Sequence, residues 1–239
     1  QAPESSGEYA KALFLAAVDS THGDWVVCQQ FANYLRQLGE YNDALKMIEK
    51  ALQANPNHAP LHHTKGNILR FAGLDSVRQG KVADGMRDVD AARQCFSYSR
   101  TMQQDEYGYV THLDMLLGLL DIPHAAHKKD ELLAEGVSLY RAGLGALPAE
   151  AFDRLLRPHF AKVFELSGQE LGALINKLEV AAKTGRVSLP AMEFLTDELL
   201  HQGRPEDAIK LIEAQRKTSD PNAIYPLLTA QLKIRQSEF

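Results

Sequence analysis

The sequence has little that would direct it to nucleic acid or to a membrane. Its 239 residues include 26 basic and 31 acidic side chains, a formal net charge of −5, so no broad basic field is available for nucleic acid. Its apolar runs, such as residues 12–18 and 115–120, are far shorter than the roughly 18 residues needed to cross a bilayer. We therefore expect a soluble chain that binds neither nucleic acid nor a membrane.

Cysteine is also scarce. Cys28 and Cys95 are the two cysteines of the chain, and each lies within an apolar helical pattern. This placement favours two reduced, buried thiols over a disulfide framework, and hence a reducing, cytoplasmic compartment. With 45% hydrophobic residues the chain is long enough to bury a continuous core, as one large domain or as an array of smaller units.

Motifs that carry catalysis or bind cofactors are missing. The stretch RQGKVADG contains Gly80 and Lys81 but lacks the spacing and the hydroxyl of a phosphate-binding loop. No serine or cysteine lies in a recognisable nucleophile motif. His58, His62 and His63 have no cysteine or carboxylate at ligand spacing that would complete a tetrahedral zinc site. The sequence therefore predicts a protein that is not an enzyme and that uses neither a metal nor another cofactor.

The clearest positive signal is helical periodicity over residues 25–58. In the second half of this segment, apolar residues recur at i, i+4 and i+7, and in the first half at i, i+3, i+4 and i+7, which indicates two amphipathic helices. The inward residues are Cys28, Phe31, Ala32 and Leu35 in the first helix, and Ala44, Ile48 and Ala51 in the second. Gly39 lies between the two runs and Pro56 follows them, which predicts a helical hairpin with a tight turn at Gly39.

This segment resembles a tetratricopeptide (TPR) repeat, a helix-turn-helix unit of about 34 residues. The small position of the family's first helix falls on Ala32, the turn glycine on Gly39 and the aromatic position on Tyr41. The small second-helix position falls on Ala44 and the closing proline on Pro56. The resemblance implies an all-α fold, a right-handed α-α superhelix of stacked antiparallel helical hairpins.

A second repeat is predicted after the first, with an insertion. Shifting by 34 residues places Gly66 at the small position and Gly73 at the turn. The match then slips by about 14 residues, LDSVRQGKVADGMR, before the second-helix pattern returns at Ala92 and Phe96. We expect this insertion, at about residues 74–90, to lengthen the turn or the second helix.

The remaining chain is assigned to further helices. Residues 107–120 are predicted to form the first helix of a third repeat, with Val110, Leu113 and Leu117 facing inward. The predicted organisation is TPR-like repeats over 1–127 (half repeat 7–24, repeat 25–58, repeat 59–106, helix 107–120), degenerate helical hairpins over 128–187, and a TPR-like repeat plus a terminal helix over 188–239. A separate helical domain is the alternative for 128–187.

Both ends of the sequence have the pattern of half a hairpin. Residues 7–24 have the pattern of the second helix of a hairpin, with no first helix before it. Residues 222–236 have the pattern of the first helix of a hairpin, with no second helix after it. Arrays of this kind need polar capping elements at their termini. We therefore expect this chain to be a segment of a larger repeat protein that carries other domains.

In TPR proteins the first helix of each repeat lines a concave groove, and the resemblance transfers this role to polar residues here. Asn33 and Asn67 occupy equivalent places in successive repeats, as do Arg36 and Arg70, and amide and guanidinium groups suit a partner's backbone and carboxylates. The predicted partner-binding residues are Gln29, Asn33, Arg36, His63, Asn67, Arg70, Thr111 and His112. The alternative is that they form a solvated face. Gln29 replaces the lysine of the chaperone-binding TPR class, which argues against that specificity.

A narrower resemblance concerns function. GDWVVCQQFANYLRQLGEYNDAL, LHHTKGNILR and DEYGYVTHLDMLLGLL are similar to the C-terminal TPR region of STAND-type NTPases, which include antiviral defence proteins. That resemblance implies a sensor segment that binds a protein or peptide trigger. The competing hypothesis is a structural scaffold that mediates oligomerisation or packing between domains.

Overall fold

The computed structural model describes residues 6–103, 106–148, 163–184 and 187–218, and within these ranges it contains helices and no β-strand. The chain divides into two compact units, residues 1–132 and 133–239. The helices of the first unit are α1 (Ser6–Ser20), α2 (Trp25–Gln37), α3 (Tyr41–Ala54), α4 (Ala59–Arg78), α5 (Val82–Met102), α6 (Glu106–Leu120) and a 3₁₀ helix (Pro123–Lys128). Helix α7 (Lys129–Ala146) has its first four residues in the first unit and the others in the second unit. The second unit also contains α8 (Gly168–Thr184), α9 (Leu189–His201) and α10 (Pro205–Thr218).

Helices α2 and α3 form the hairpin predicted for residues 25–58. Asp24 caps α2, its carboxylate accepting hydrogen bonds from the amides of Val26 and Val27. Gly39 turns the chain with a φ of +77°, a value that favours glycine. The predicted inward residues of both helices are buried, and Ala44 has no exposed surface. The all-α class and the TPR-like stacking of helical hairpins are confirmed.

The second hairpin, α4–α5, is longer than the first. Helix α4 has 20 residues and α5 has 21, against 13 in α2 and 14 in α3, so each helix is seven residues longer. The prediction that Gly73 forms the turn is wrong, because Gly73 lies inside α4 and the chain turns at Gly80, with a φ of +80°. The inserted residues therefore add two helical turns to each arm of the hairpin.

Helix α6 packs against the long hairpin with a different face from the one predicted. Leu113 is fully buried as expected, but Val110 and Leu117 are only half-buried. The fully buried face instead includes Met115 and Leu116. The physical reason is that α6 contacts α4, α5 and the 3₁₀ helix, which together cover more than one stripe of its surface.

Helix α1 precedes the first hairpin and packs against α2. The rings of Phe14 and Phe31 stack with their centroids 5.2 Å apart, and the Tyr34 hydroxyl donates to the carbonyl of Gly7. The opposite side of α1 is apolar and exposed, with 63% of Tyr9 and 54% of Leu13 accessible. None of the helices in the described ranges is long and apolar enough to span a membrane.

The second unit contains a hairpin at the place of the predicted late repeat. Helices α9 and α10 are joined at Gly203, with a φ of +70°, and Leu195 and Ala208 are buried between them. Gln215 of α10 is also buried; its amide donates to Ala182 O at the end of α8, and its oxygen accepts from Val187 N. Residues 149–162 and the predicted terminal helix 222–236 lie outside the described residues, and the assignment of 128–187 to degenerate hairpins stays a prediction.

Candidate functional site

The candidate site is the surface formed by α2, α4 and α6, the first helices of the predicted repeats. We call the eight predicted partner-binding residues on these helices the A-helix face. Helix α2 buries Cys28, Phe31, Ala32 and Leu35 against its neighbours. Because side chains three and four positions apart share one side of a helix, Gln29, Asn33 and Arg36 form a separate row along α2. All three are half-buried.

Two contacts join α2 to α4 along this row. The Gln29 amide donates to the Thr64 hydroxyl at 2.9 Å. Seven residues further along each helix, the Arg36 guanidinium lies over the Phe71 ring, 4.8 Å from its centroid. Both contacts join residues 35 positions apart, so the two helices run parallel in a single register. Thr64 is itself fixed, because its hydroxyl donates to the carbonyl of Pro60.

Asn33 and Asn67 lie between these two contacts. Asn33 follows Gln29 by four residues, and Asn67 follows Thr64 by three, so both share the side of the helix that carries the row. Both are half-buried, and within the described part of the chain neither side-chain amide has a hydrogen-bond partner. The structure therefore brings the two predicted asparagines together as amides that are not used to hold the helices in place.

A guanidinium pair lies at the end of the row. Arg36 and Arg70 both stack on Phe71, with their guanidinium carbons 4.8 Å and 4.9 Å from the ring centroid. Arg70 also donates to the carbonyl of Thr111 at 3.4 Å and lies 4.0 Å from a carboxylate oxygen of Asp114. Arg70 therefore links α4 to α6, whereas Arg36 has no ion pair within the described residues.

The predicted residues of α6 are engaged in packing. Thr111 and His112 are 8% and 4% exposed. The Thr111 hydroxyl is hydrogen-bonded to Nε2 of His63 at 3.0 Å, and Nδ1 of His112 lies 3.3 Å from the Arg100 guanidinium. His63, Thr111 and His112 thus join α4, α5 and α6, and little of Thr111 or His112 is accessible.

A pocket of about 640 Å³ opens where the short hairpin meets the long one, and we call it the step pocket. The register places the end of α2, at Gln37, beside Ala72, so the last six residues of α4 extend past it. The pocket lies beside this extension. Its lining residues are Gly39, Glu40, Tyr41, Asn42, Asp43, Ala72, Asp75, Ser76, Gln79 and Asp88.

The step pocket is acidic, and most of its carboxylates have partners. Asp75 accepts hydrogen bonds from the hydroxyl of Tyr41 and from Arg78. Burial and then the hydrogen bond to Asp75 raise the pKa of Tyr41 to about 12, and burial raises the pKa of Asp88 above its usual range. Sequence reasoning missed this pocket because it is formed by residues far apart in the chain; the insertion was its only sequence signal.

The three histidines of the predicted cluster, His58, His62 and His63, each contact a different partner. The His58 ring packs on Trp25 with centroids 4.5 Å apart, His62 is hydrogen-bonded to the carbonyl of Pro56, and His63 contacts Thr111. No group of three or more potential ligands suited to a metal ion occurs in residues 6–103, 106–148, 163–184 and 187–218.

Comparisons with known proteins place few constraints on this site. No protein-family model matches the chain, and no curated protein matches it. Among solved structures, the chain is similar to one described as YrrB, a TPR protein with an unusual peptide-binding site. The two share 14% sequence identity over 91% of this chain and 97% of the other, with a TM-score of 0.34. These values are too low for the likeness to bear on the site.

Proposed function

We propose that this chain is a non-enzymatic recognition module that binds an extended segment of a partner protein across α2 and α4. The observation that carries the proposal is a pair of amides, Asn33 and Asn67, that have no hydrogen-bond partner among the described residues and lie between the Gln29–Thr64 and Arg36–Phe71 contacts. Both side chains are half-buried and their polar atoms are open to solvent, so their donors and acceptors are available to a ligand.

The chemistry of the two asparagines suits a peptide backbone. A carboxamide has donors and an acceptor, as a peptide unit does, and can therefore bind both the N–H and the C=O of one residue. Because α2 and α4 are cross-linked on both sides of the asparagines, the helices that carry the two amides are held in a fixed register before a ligand arrives. Such preorganisation lowers the entropy lost on binding.

We further propose that the module is the sensor segment of a longer protein, with a STAND-type signalling or antiviral defence NTPase as the favoured parent. The sequence similarity of residues 23–45, 61–70 and 105–120 to that class supports this. The segment would then bind a trigger protein while other domains of the parent chain carry the nucleotide switch.

The test uses a random 12-residue peptide library displayed on phage. Peptides selected on the wild-type protein are titrated against it and against Asn33→Ala/Asn67→Ala. The double variant should bind at least about tenfold more weakly, as expected for two lost hydrogen bonds, with an unchanged circular dichroism spectrum. Lys46→Ala/Arg87→Ala, at side chains that are 70% and 77% exposed, is the matched control and should bind as wild type. Equal binding by both double variants would refute the proposed site.

A scaffold function is the second candidate, and the apolar outer side of α1 favours it. Tyr9 and Leu13, four residues apart and therefore on one side of the helix, are 63% and 54% exposed. Exposed apolar side chains in a cluster mark interaction surfaces. If α1 mediates assembly, sedimentation velocity will show an oligomer that Leu13→Glu dissociates. A wild-type monomer at all concentrations tested would leave this candidate without support.

A further inference from the structure

Arg36 brings a half-buried positive charge to the A-helix face, and no acidic side chain in the described part of the chain pairs with it. Its side chain has no hydrogen bond and no ion pair within the described residues, and its Nε is shielded from solvent. A charge that has lost part of its hydration is normally compensated by a partner of opposite charge. The side chain of Arg36 therefore has binding capacity that this part of the chain does not use.

The acidic groups closest to this end of the row already have partners. Asp75 accepts hydrogen bonds from Tyr41 and Arg78, and Asp114 lies 4.0 Å from Arg70. Arg36 is near enough to the same cluster for its charge to act on Tyr41. None of these carboxylates pairs with Arg36, so no acidic group in the described part of the chain neutralises its charge.

Phe71 holds the guanidinium in place. A guanidinium over an aromatic ring is attracted to the face of the ring. The N–H donors of Arg36 make no hydrogen bond within the described residues. The planar fork of donors matches the two oxygens of a carboxylate. Stacking thus restricts Arg36 without using the donors that would bind an anion.

We propose that Arg36, stacked on Phe71 beside Arg70, binds a carboxylate group of the partner segment, an inference that rests on the proposed function. A carboxylate fits better than a phosphate because Asp75 and Asp114 lie close to the same end of the row and repel a dianion more strongly. An aspartate or glutamate side chain and a C-terminal carboxylate present the same chemistry to the arginine. The experiment distinguishes these two sources.

The test follows the Arg36 side chain directly by NMR. Protein labelled with ¹⁵N-arginine is titrated at low ionic strength with N-acetyl-glutamate α-methylamide, which carries a side-chain carboxylate, and with N-acetyl-alanine, which carries a terminal one. N-acetyl-glutamine α-methylamide is the neutral control. We expect a saturable shift of the Arg36 Nε–Hε signal with a carboxylate probe and none with the neutral probe. The tighter of the two carboxylate probes identifies the source.

Arg87 is the internal reference, because its side chain is 77% exposed and pairs with Asp84 three residues away. An Arg36 shift no larger than that of Arg87 would overturn the proposal. Inorganic phosphate provides a further test, since tighter binding of phosphate than of either carboxylate would also overturn it.

Two variants test the Arg36 guanidinium and the Phe71 ring separately. Arg36→Gln should weaken carboxylate binding by about tenfold or more, the loss expected for a charge-assisted hydrogen-bonded pair. That loss is read from the chemical shifts of neighbouring backbone amides. Phe71→Leu keeps an apolar side chain but removes the ring, and should weaken binding several-fold while the protein stays folded. Wild-type affinity in folded Arg36→Gln would refute the assignment.

The outcome also separates this inference from the proposed function. If Arg36 binds a carboxylate probe but no phage peptide is enriched, the recognition of extended segments fails while the carboxylate site stands. If enriched peptides depend on Asn33 and Asn67 but lose nothing when their acidic residues are replaced by amides and their C-termini are amidated, the module stands and the carboxylate site fails.

Discussion

Gly73 and Gly85 bring the backbones of α4 and α5 into direct contact. A Cβ atom added to Gly73 would lie 2.8 Å from the carbonyl oxygen of Gly85, and one added to Gly85 would lie 2.6 Å from that of Gly73. Both distances are shorter than real Cβ contacts, and the obstructing atoms are backbone. The two glycines therefore determine how closely the arms of the long hairpin approach.

We expect Gly73→Ala to destabilise the protein. Alanine favours the helix by up to about 1 kcal/mol over glycine, but forcing α4 and α5 apart costs about 1–3 kcal/mol or more. Thermal unfolding followed by circular dichroism should show a lower melting temperature. Gly7→Ala is the control, because its added Cβ meets only the Tyr34 hydroxyl at 3.6 Å. A Gly73→Ala protein as stable as the Gly7→Ala protein would mean that the hairpin arms are not in contact.

Ala44→Leu should also destabilise strongly. Ala44 has no exposed surface and lies in the first hairpin with Ile48 and Ala51. Three extra carbon atoms at this contact overpack it by about 1–3 kcal/mol. Urea unfolding of Ala44→Leu is compared with that of Ala54→Leu, an exposed position at the end of the same helix. Equal midpoints for the two variants would show that the repeat register is wrong.

Stability at alkaline pH should depend on Tyr41. Its folded-state pKa is about 12, whereas an unfolded tyrosine loses its proton near pH 10. Between these values the unfolded state releases its proton first, so the stability that Tyr41 contributes is complete below pH 10 and is lost as the pH rises towards 12.

The variant Tyr41→Phe tests this pH dependence. At pH 8 we expect it to be about 1–2 kcal/mol less stable than wild type, because the hydrogen bond to the Asp75 carboxylate is removed. The difference should shrink when unfolding is measured at pH 11. Tyr98→Phe, at an exposed tyrosine, should follow the wild-type pH dependence. A Tyr41→Phe difference that is constant from pH 8 to pH 11 would contradict the assignment.

Metal removal should leave the protein unchanged. His58, His62 and His63 each contact a different partner, and structural zinc needs a complete set of ligands. After dialysis against a chelator, helicity and melting temperature should equal those of the untreated protein, and elemental analysis should find well below one equivalent of zinc. Stoichiometric zinc that is lost together with stability would show that the histidines bind a metal.

The sequence by itself determined the helices of the first hairpin and the residues that pack them. Ala44, Ile48 and Ala51 recur with the period of a helix, and a period of this kind depends only on residues within one or two turns. The turn at Gly39 was equally visible, because a glycine between two amphipathic runs favours a left-handed conformation that other residues avoid. Such features are local, so a linear pattern is sufficient to predict them.

Only the tertiary structure decided where the long hairpin turns and which polar residues remain unbonded. Gly73 lies inside α4, where its lack of a side chain lets α5 pack closely against the helix. The glycine is therefore needed for the contact between the two helices and not for a turn. His112 and Asn67 are both polar residues of the predicted face, yet His112 is buried beside Arg100, whereas the Asn67 amide has no hydrogen-bond partner among the residues that the structure describes. That difference arises from the register between helices that are distant in sequence, which no periodicity within a single helix specifies.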